Sequence, residues 1–194
     1  MQELSKRQKQ IIDISIHIIS ERGLQDLTMK NLSHELGISE PAIYRHFESK
    51  QKIIIAVLES FKHQNRLIET PLPIDGEQSF LHLTKYIEMI IKRLKDNPAL
   101  SAVIFSEDIF QNQTELSDLV KNIMNSTILF FMNLIDKGQQ DGSIRSDIEK
   151  DDLSVIVMGS LRQIVTVWRL SGFSIDLIES GNKLNRTLGV LIAS

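Results

Sequence analysis

The residues of this sequence that can bind another molecule through hydrogen bonds are concentrated between Thr28 and Lys50. One face of a short predicted helix there carries small, charged and polar side chains: Glu40, Ala42, Arg45 and His46. Ile43 and Phe47 are spaced i and i+4, so they give the same helix an opposite, buried side. Arginine and histidine donate N–H groups and glutamate accepts, which suits the recognition of a polar surface.

Two short helices joined by a tight turn must position these side chains. Thr28 is a favourable N-cap residue for the first helix, and Gly37 can end it in the left-handed conformation. Ser39 can cap the second helix, and Pro41 falls in its first turn, where the missing N–H costs nothing. Helix, glycine-containing turn and second helix form the helix-turn-helix pattern, whose second helix enters the major groove of DNA.

The run from Ile11 to Ala56 resembles the DNA-binding head of the TetR family of one-component bacterial repressors. The residues that carry the resemblance are Gly23, Thr28, Leu32, the turn Leu36-Gly37-Ile38-Ser39, the run Ile43-Tyr44-Arg45-His46-Phe47, and Ser49-Lys50. They cover about a quarter of the chain with unbroken spacing. The remainder is similar to the family only in its length and helical pattern.

The resemblance implies two sets of contacts to DNA. The phosphate contacts fall on residues that present an O–H, N–H or ammonium donor: Thr28, Tyr44, His46 and Lys50. The base-edge contacts fall on Ser39, Glu40, Pro41, Ala42 and Arg45. Arg45 can bind guanine O6 and N7 in a bidentate manner, and Glu40 can accept from cytosine N4. As alternatives, Tyr44 packs against the first helix, His46 is exposed without a contact, and Glu40 only stabilises a helix N-terminus.

The composition is that of an ordinary globular protein of 194 residues, with 42% hydrophobic and 24% charged residues. The absence of cysteine excludes disulfides, thiolate zinc sites and a cysteine nucleophile, and it fits a reducing cytoplasm. The longest uncharged run, residues 122–135, is shorter than the roughly 20 apolar residues of a membrane span. We therefore expect a cytoplasmic protein without a membrane partner.

The net charge of −3 argues at first against a nucleic-acid binder. Residues 1–66, however, carry a formal balance of +2, and residues 67–194 carry −5. Chance also accounts for a difference of this size, so the charge alone does not reveal a DNA-binding protein.

Helical spacing continues along the whole chain, without strand-like alternation, and four prolines favour long helices. We predict an all-α fold of about nine helices: a three-helix head with the helix-turn-helix, joined through a fourth helix to a C-terminal ligand-binding and dimerisation bundle. Two prolines and a glycine between Thr70 and Gly76 mark the boundary. The predicted domains are residues 1–50, with a linking helix at 49–67, and residues 68–194.

The last two predicted helices carry more apolar surface than one buried face requires. The helix at 150–170 is apolar on two sides, and the last helix repeats leucine at coiled-coil spacing. We predict that both helices pair with their copies across a two-fold axis as a four-helix bundle; the alternative is one large monomer core. The predicted interface residues are Val157, Leu161, Ile164, Trp168, Leu184, Leu188 and Leu191. Gly181 would let a neighbouring helix come close.

Aromatic and methionine residues in the C-terminal helices are most often core residues. The resemblance adds the expectation of a pocket for a small apolar or amphipathic effector. The candidate lining residues are Phe61, Phe80, Met89, Phe105, Phe110, Phe130 and Trp168. The candidate polar groups are His82, Arg162, Gln163 and Arg169, although the two arginines also suit surface or interface ion pairs.

No enzyme motif of the types Gly-x-Ser-x-Gly, His-Glu-x-x-His or Walker occurs, and the five histidines lack metal-ligand spacing. We therefore predict no catalytic residues, no metal and no cofactor. The predicted partners are a double-stranded DNA operator, a second copy of the chain and a small-molecule effector. A regulator without an effector, or a helix-turn-helix module that binds protein, remains the alternative. Repression is what the resemblance implies.

Overall fold

The computed structural model describes residues 4–64, 78–105 and 114–194, except the side chains of residues 62–64 and 114. Within these ranges the chain forms nine α-helices and no strand, which confirms the predicted all-α class. The helices are α1 (Lys6–Arg22), α2 (Met29–Leu36), α3 (Glu40–Tyr44), α4 (Lys50–Gln64), α5 (Ser79–Asp96), α6 (Pro98–Ile104), α7 (Thr114–Gln140), α8 (Lys150–Leu170) and α9 (Leu177–Leu191). A 3₁₀ turn, Leu24–Asp26, joins α1 to α2.

Side-chain caps and left-handed glycines set the ends of the first helices. Ser5 and Gln8 form a capping box at the start of α1. Thr28 Oγ1 accepts from the backbone N–H of Asn31 at 3.1 Å and so caps α2, as predicted. Gly37 ends α2 with φ 64, a conformation that favours glycine. Ser39 occupies the N-cap position of α3, but its side chain makes no cap hydrogen bond, so α3 starts without the predicted cap.

Two compact units divide the chain, and the first is interrupted in sequence. It comprises Met1–Thr70 and Asn97–Val120, and the second comprises Pro71–Asp96 and Lys121–Ser194. Helix α6 and the first turns of α7 thus belong to the same unit as the head, with α6 packed against α1, α4 and the 3₁₀ turn. A single domain boundary near residue 68 does not describe these two units, because the first unit also includes Asn97–Val120. The proline-containing stretch predicted as the boundary lies outside the described residues.

The second unit is built on close packing of α5, α8 and α9. Gly181 of α9 lies against Ile91 of α5, so the predicted close approach is to a helix of the same chain. Gly138 of α7 faces the side chain of Ile144 in the same way. At both positions a Cβ would overlap a buried isoleucine, which explains the absence of a side chain.

Most of the residues predicted for the dimer interface are buried within the single chain. Five of them are between 0% and 7% exposed and form part of the core of their own unit: Val157, Leu161, Trp168, Leu184 and Leu188. Ile164 is half-buried, and Leu191 is 50% exposed. The helical spacing was right, but these stripes face inward, where α8 and α9 pack together.

The loop between α7 and α8 holds the start of α5 and the end of the chain. Asp141 accepts from the backbone N–H groups of Ser79 and Ser143, both at 2.9 Å. Partial desolvation opposes ionisation of Asp141, but hydrogen bonds from both serines outweigh it and hold its pKa well below the usual value. The backbone N–H of Arg145 donates to the carbonyl of Ile192 at 2.9 Å, which fixes the C-terminal residues.

Alanine substitution tests the two close glycine contacts. We expect Gly138→Ala to cost about 2–3 kcal/mol of unfolding free energy, because its Cβ would meet Cγ1 of Ile144 at 2.6 Å and Cβ at 3.1 Å. Gly181→Ala should cost about 1–2 kcal/mol, since the overlap is chiefly with the terminal methyl of Ile91, which can turn away.

Gly189→Ala is the matched control, because its Cβ would meet the Phe80 ring at an ordinary 3.8 Å. It should leave stability unchanged or raise it by up to about 1 kcal/mol through helix propensity. Urea denaturation of the three variants measures their unfolding free energies and so tests the expected order of stability. Equal stability of Gly138→Ala and Gly189→Ala would contradict the packing described.

Candidate nucleic-acid interface

Helices α2 and α3 meet at a turn closed by backbone hydrogen bonds. The N–H of Gly37 donates to the carbonyl of His34 at 3.2 Å, and the N–H of Ile38 donates to that of Ser33 at 3.1 Å. These bonds satisfy carbonyls at the end of α2. They also fix the direction in which the chain enters α3.

The inward side of α3 is apolar and fully packed. Ile43 is 0% exposed and Phe47 is 8% exposed. The N–H of Phe47 donates to the carbonyl of Ile43 at 3.0 Å, which continues the helical turn beyond Tyr44. Because α3 has only five residues, these two side chains determine which residues point outward.

The outward side carries the residues that the sequence predicts for base contacts. Ser39, Pro41 and Arg45 are exposed, whereas Glu40 and Ala42 are half-buried. Arg45 lies just beyond α3, as its C-cap residue, and makes no ion pair with any described residue. A guanidinium held by no carboxylate is available for a bidentate acceptor such as guanine.

Three of the predicted phosphate contacts surround this surface. Tyr44 is 48% exposed, which argues against packing as its main role. Thr28 is exposed, and its hydroxyl, which accepts at the cap of α2, can still donate its hydrogen. His46 is half-buried, and its carbonyl accepts from Nε2 of Gln8 at 3.4 Å. Gln8 thereby ties the start of α1 to the turn after α3.

Lys50, the fourth predicted phosphate contact, already has a protein acceptor. Its Nζ donates to the carbonyl of Leu24 at 3.2 Å, and burial lowers the pKa of the ammonium group. Lys52, in the first turn of α4, binds Glu115 of α7. Local sequence spacing gives no signal for either partner, because Leu24 and Glu115 lie 26 and 63 residues away from these lysines.

The residues predicted for effector binding are divided between the two units. Phe61 and Phe105 belong to the first unit, and Phe80, Met89, Phe130 and Trp168 belong to the second. Phe110 lies outside the described residues.

Within the second unit, the ring of Phe130 lies 4.2 Å from that of Tyr86, and Trp168 lies 4.7 Å from Phe173. Tyr86 was not among the predicted residues, although it contacts Phe131 as well. Among the polar candidates, His82 is buried and Arg162 and Arg169 are half-buried, whereas Gln163 is exposed. Phe130 is thus the one described residue of the predicted lining that belongs to the ring cluster around Tyr86, and the effector pocket stays a prediction.

The described residues offer little support for a metal site or a membrane span. No group of three histidine or acidic side chains there has the arrangement of a metal site. One helix, Lys150–Leu170, is long and apolar enough to span a membrane by length and composition alone. Core helices of soluble proteins pass the same test, so this is weak support for a span.

Family models match both parts of the chain. Residues 11–57 match the model for bacterial regulatory proteins of the tetR family, and residues 67–191 match that for the C-terminal region of YsiA-like proteins. The chain belongs to the TetR family. It therefore has the helix-turn-helix head of bacterial regulatory proteins of that family and the C-terminal region of YsiA-like proteins, which confirms the resemblance found in the sequence.

Two relatives are similar to this chain over two thirds of its length or more. The fatty acid metabolism regulator protein of Bacillus subtilis is 20% identical over 95% of this chain and 94% of its own. The nucleoid occlusion factor SlmA of Haemophilus influenzae is 26% identical over 68% of this chain, which spans only 61% of that relative's length.

Solved structures share the fold along nearly the whole chain. FadR of Bacillus subtilis in complex with stearoyl-CoA gives a TM-score of 0.73 at 21% identity, covering 94% of this chain and 97% of that one. The ketosteroid regulator KstR2 of Mycobacterium tuberculosis gives 0.76 at 14% identity, covering 99% and 97%. This TetR-family regulator thus has the overall fold of its relatives.

Substitution at Arg45 and Lys50 separates base reading from phosphate contact. We expect Arg45→Ala to lower operator affinity by about 1–3 kcal/mol and to relax the preference at one base position. Lys50→Ala should weaken binding to all operator variants alike, because neither a phosphate nor the Leu24 carbonyl carries base information. Binding isotherms on a set of single-base operator variants measure both effects.

Lys92→Ala controls for the loss of one positive charge, since Lys92 is exposed on α5. It should change the affinity little at physiological salt. An equal loss at every operator variant for both Arg45→Ala and Lys50→Ala would contradict this division of roles.

Proposed function

We propose that this regulator is a repressor that binds a palindromic operator as a homodimer and is released by a small apolar or amphipathic effector. The observation that carries the proposal is the outward face of α3. Pro41, Tyr44 and Arg45 are exposed there while Ile43 is fully buried. A polar surface on a second helix of this motif suits the major groove.

In the proposed complex, base edges contact Ser39, Glu40, Pro41, Ala42 and Arg45. The phosphates on either side contact Thr28, Tyr44, His46 and Lys50. Arg45 contributes discrimination through guanine, and the exposed Pro41 can meet a thymine methyl. The phosphate donors set the orientation and supply the salt-dependent part of the affinity.

The exposed apolar residues of α8 and α9 support a homodimer with a corrected interface. On α8, Val155 is 70% exposed and Leu170 is 82% exposed; on α9, Val190 is 84% exposed. The other exposed apolar residues on these helices are Ile156, Val167 and Leu191. Because α8 and α9 pack together, a second copy related by two-fold symmetry could cover exposed residues of both helices.

An anionic, amphipathic effector fits the chemistry of the second unit. FadR of Bacillus subtilis, whose fold this chain shares, binds stearoyl-CoA, so a long acyl chain with a charged group is a reasonable ligand class here. Arg169 is half-buried and has no hydrogen-bond or ion-pair acceptor among the described residues. Burial lowers the pKa of its guanidinium, and an anionic group of a ligand would offset that cost.

Release requires the effector to bind better to a state that no longer matches the operator. A 100-fold loss of operator affinity corresponds to about 2.7 kcal/mol of coupling between the two sites. Helix α4, which follows the DNA-reading turn directly, is the proposed connection.

A salt titration tests the DNA-binding part of the proposal. Binding to random duplex DNA should weaken steeply and linearly on logarithmic scales as salt rises, because phosphate contacts release counterions. A helix-turn-helix that binds only protein would leave random DNA unbound even at low salt. Such a result would overturn the proposed function.

Charge substitution on α8 tests the dimer. We expect the wild-type chain to sediment at twice its 22.1 kDa at micromolar concentration. Val155→Glu should weaken the dimer by about 100-fold or more, since each copy would bury an unpaired carboxylate at several kcal/mol. Leu129→Glu is the matched control, because Leu129 is 59% exposed on α7 and outside the proposed interface.

Sedimentation equilibrium of the three proteins measures the association. A wild-type chain that remains a 22.1 kDa species would end the dimer proposal, as would equal weakening by both variants.

A further inference from the structure

The first turn of α4 is bound at two points. Lys52 Nζ lies 2.9 Å from Oε1 and 2.8 Å from Oε2 of Glu115, so the ammonium group contacts both carboxylate oxygens. The backbone N–H of Lys52 donates to Oγ of Ser49 at 3.2 Å, which caps α4. Lys52 is therefore held by its backbone within α4 and by its side chain to α7.

A short, packed segment joins the first turn of α4 to the DNA-reading surface. Only three residues separate Arg45 from Ser49. Among them, Phe47 is buried, and its N–H donates to the carbonyl of Ile43. Ile53, in the next turn of α4, is 0% exposed. A shift of the first turn of α4 must therefore move the packed turn that carries Arg45, because tightly packed segments do not deform independently.

Glu115 lies on a helix that both units share. Helix α7 has 27 residues, and its residues up to Val120 belong to the first unit while those from Lys121 belong to the second. At a rise of 1.5 Å per residue it is about 40 Å long. Glu115 is thus the point at which the helix that continues into the ligand-binding unit binds α4 by charge.

We propose that Glu115 is a positioning residue for DNA reading: through Lys52 it fixes the first turn of α4, and with it the recognition surface, relative to α7. The inference rests on the proposed DNA binding. The carboxylate of Glu115 also raises the pKa of Lys52, chiefly through their hydrogen bond.

Two other roles for the pair predict different results. If Glu115 only competes with DNA phosphate for Lys52, its neutralisation strengthens binding to every DNA. If the pair is an ordinary exposed ion pair, with side chains 44% and 57% exposed, its neutralisation acts only through net charge. Only a positioning role weakens operator binding when an acidic residue is removed.

The test compares operator and random DNA binding by wild type, Glu115→Gln, Lys52→Gln and the double variant. We expect Glu115→Gln to weaken operator binding about 2- to 5-fold, the range of measured exposed ion pairs, while binding to random DNA is unchanged or slightly tighter. The double variant should bind the operator no more weakly than Lys52→Gln alone, because both substitutions remove the same interaction.

Glu59→Gln is the matched control. Glu59 is exposed on α4 and acts on Lys52 through its longer-range field. Its removal should leave operator binding unchanged or slightly tighter. Operator binding by Glu115→Gln that equals or exceeds that of Glu59→Gln overturns the inference, and so does strict additivity in the double variant.

The wild-type result distinguishes a failure of the proposed function from a failure of the positioning role. Absence of any operator complex with the wild-type chain overturns the proposed function and the inference with it. A normal wild-type complex, with Glu115→Gln behaving like Glu59→Gln, overturns the positioning role alone.

Discussion

The burial of Ile43 and Phe47 is the constraint on which the DNA-reading surface depends. Helix α3 has only five residues, too few to be stable alone, so its orientation comes from packing rather than from its own hydrogen bonds. With Ile43 at 0% exposure, Pro41, Tyr44 and Arg45 have no position except outward. Gly37 also determines the orientation of α3, since its φ of 64 sets the turn through which α3 begins.

The head is part of a larger packed unit, and this affects how a signal can reach it. Helix α6 lies within the region that matches the C-terminal family model, yet it packs against α1, α4 and the 3₁₀ turn. Ala99 and Val103 of α6 are fully buried. Lys50 and Lys52 then attach the first turn of α4 to the Leu24 carbonyl and to Glu115. In the proposed mechanism, a movement of α6 or of the first turns of α7 would reach the first turn of α4 through these contacts.

The sequence predicted what local spacing determines, and it missed what depends on distant residues. The caps at Thr28 and Gly37 and the i, i+4 pair Ile43 and Phe47 define the helix-turn-helix without further information. Spacing also revealed that α8 is apolar on two sides, but it could not decide which side faces its own unit. On α8, Leu161 and Trp168 fill the core while Val155 and Leu170 remain outside, and side-chain volume does not explain this choice because Val157 is buried as well. No local sequence pattern indicates the acceptors of Lys50 and Lys52, which lie 26 and 63 residues away.

The central claim is that the outward face of α3 lies against base edges twice, in one symmetric complex. Hydroxyl-radical footprinting on the genomic sites that the protein selects measures this most directly. We predict two protected half-sites related as an inverted repeat, with centres about one helical turn, 10–10.5 base pairs, or a multiple of it apart. Protection without an inverted repeat, or protection that ignores sequence, would contradict the account.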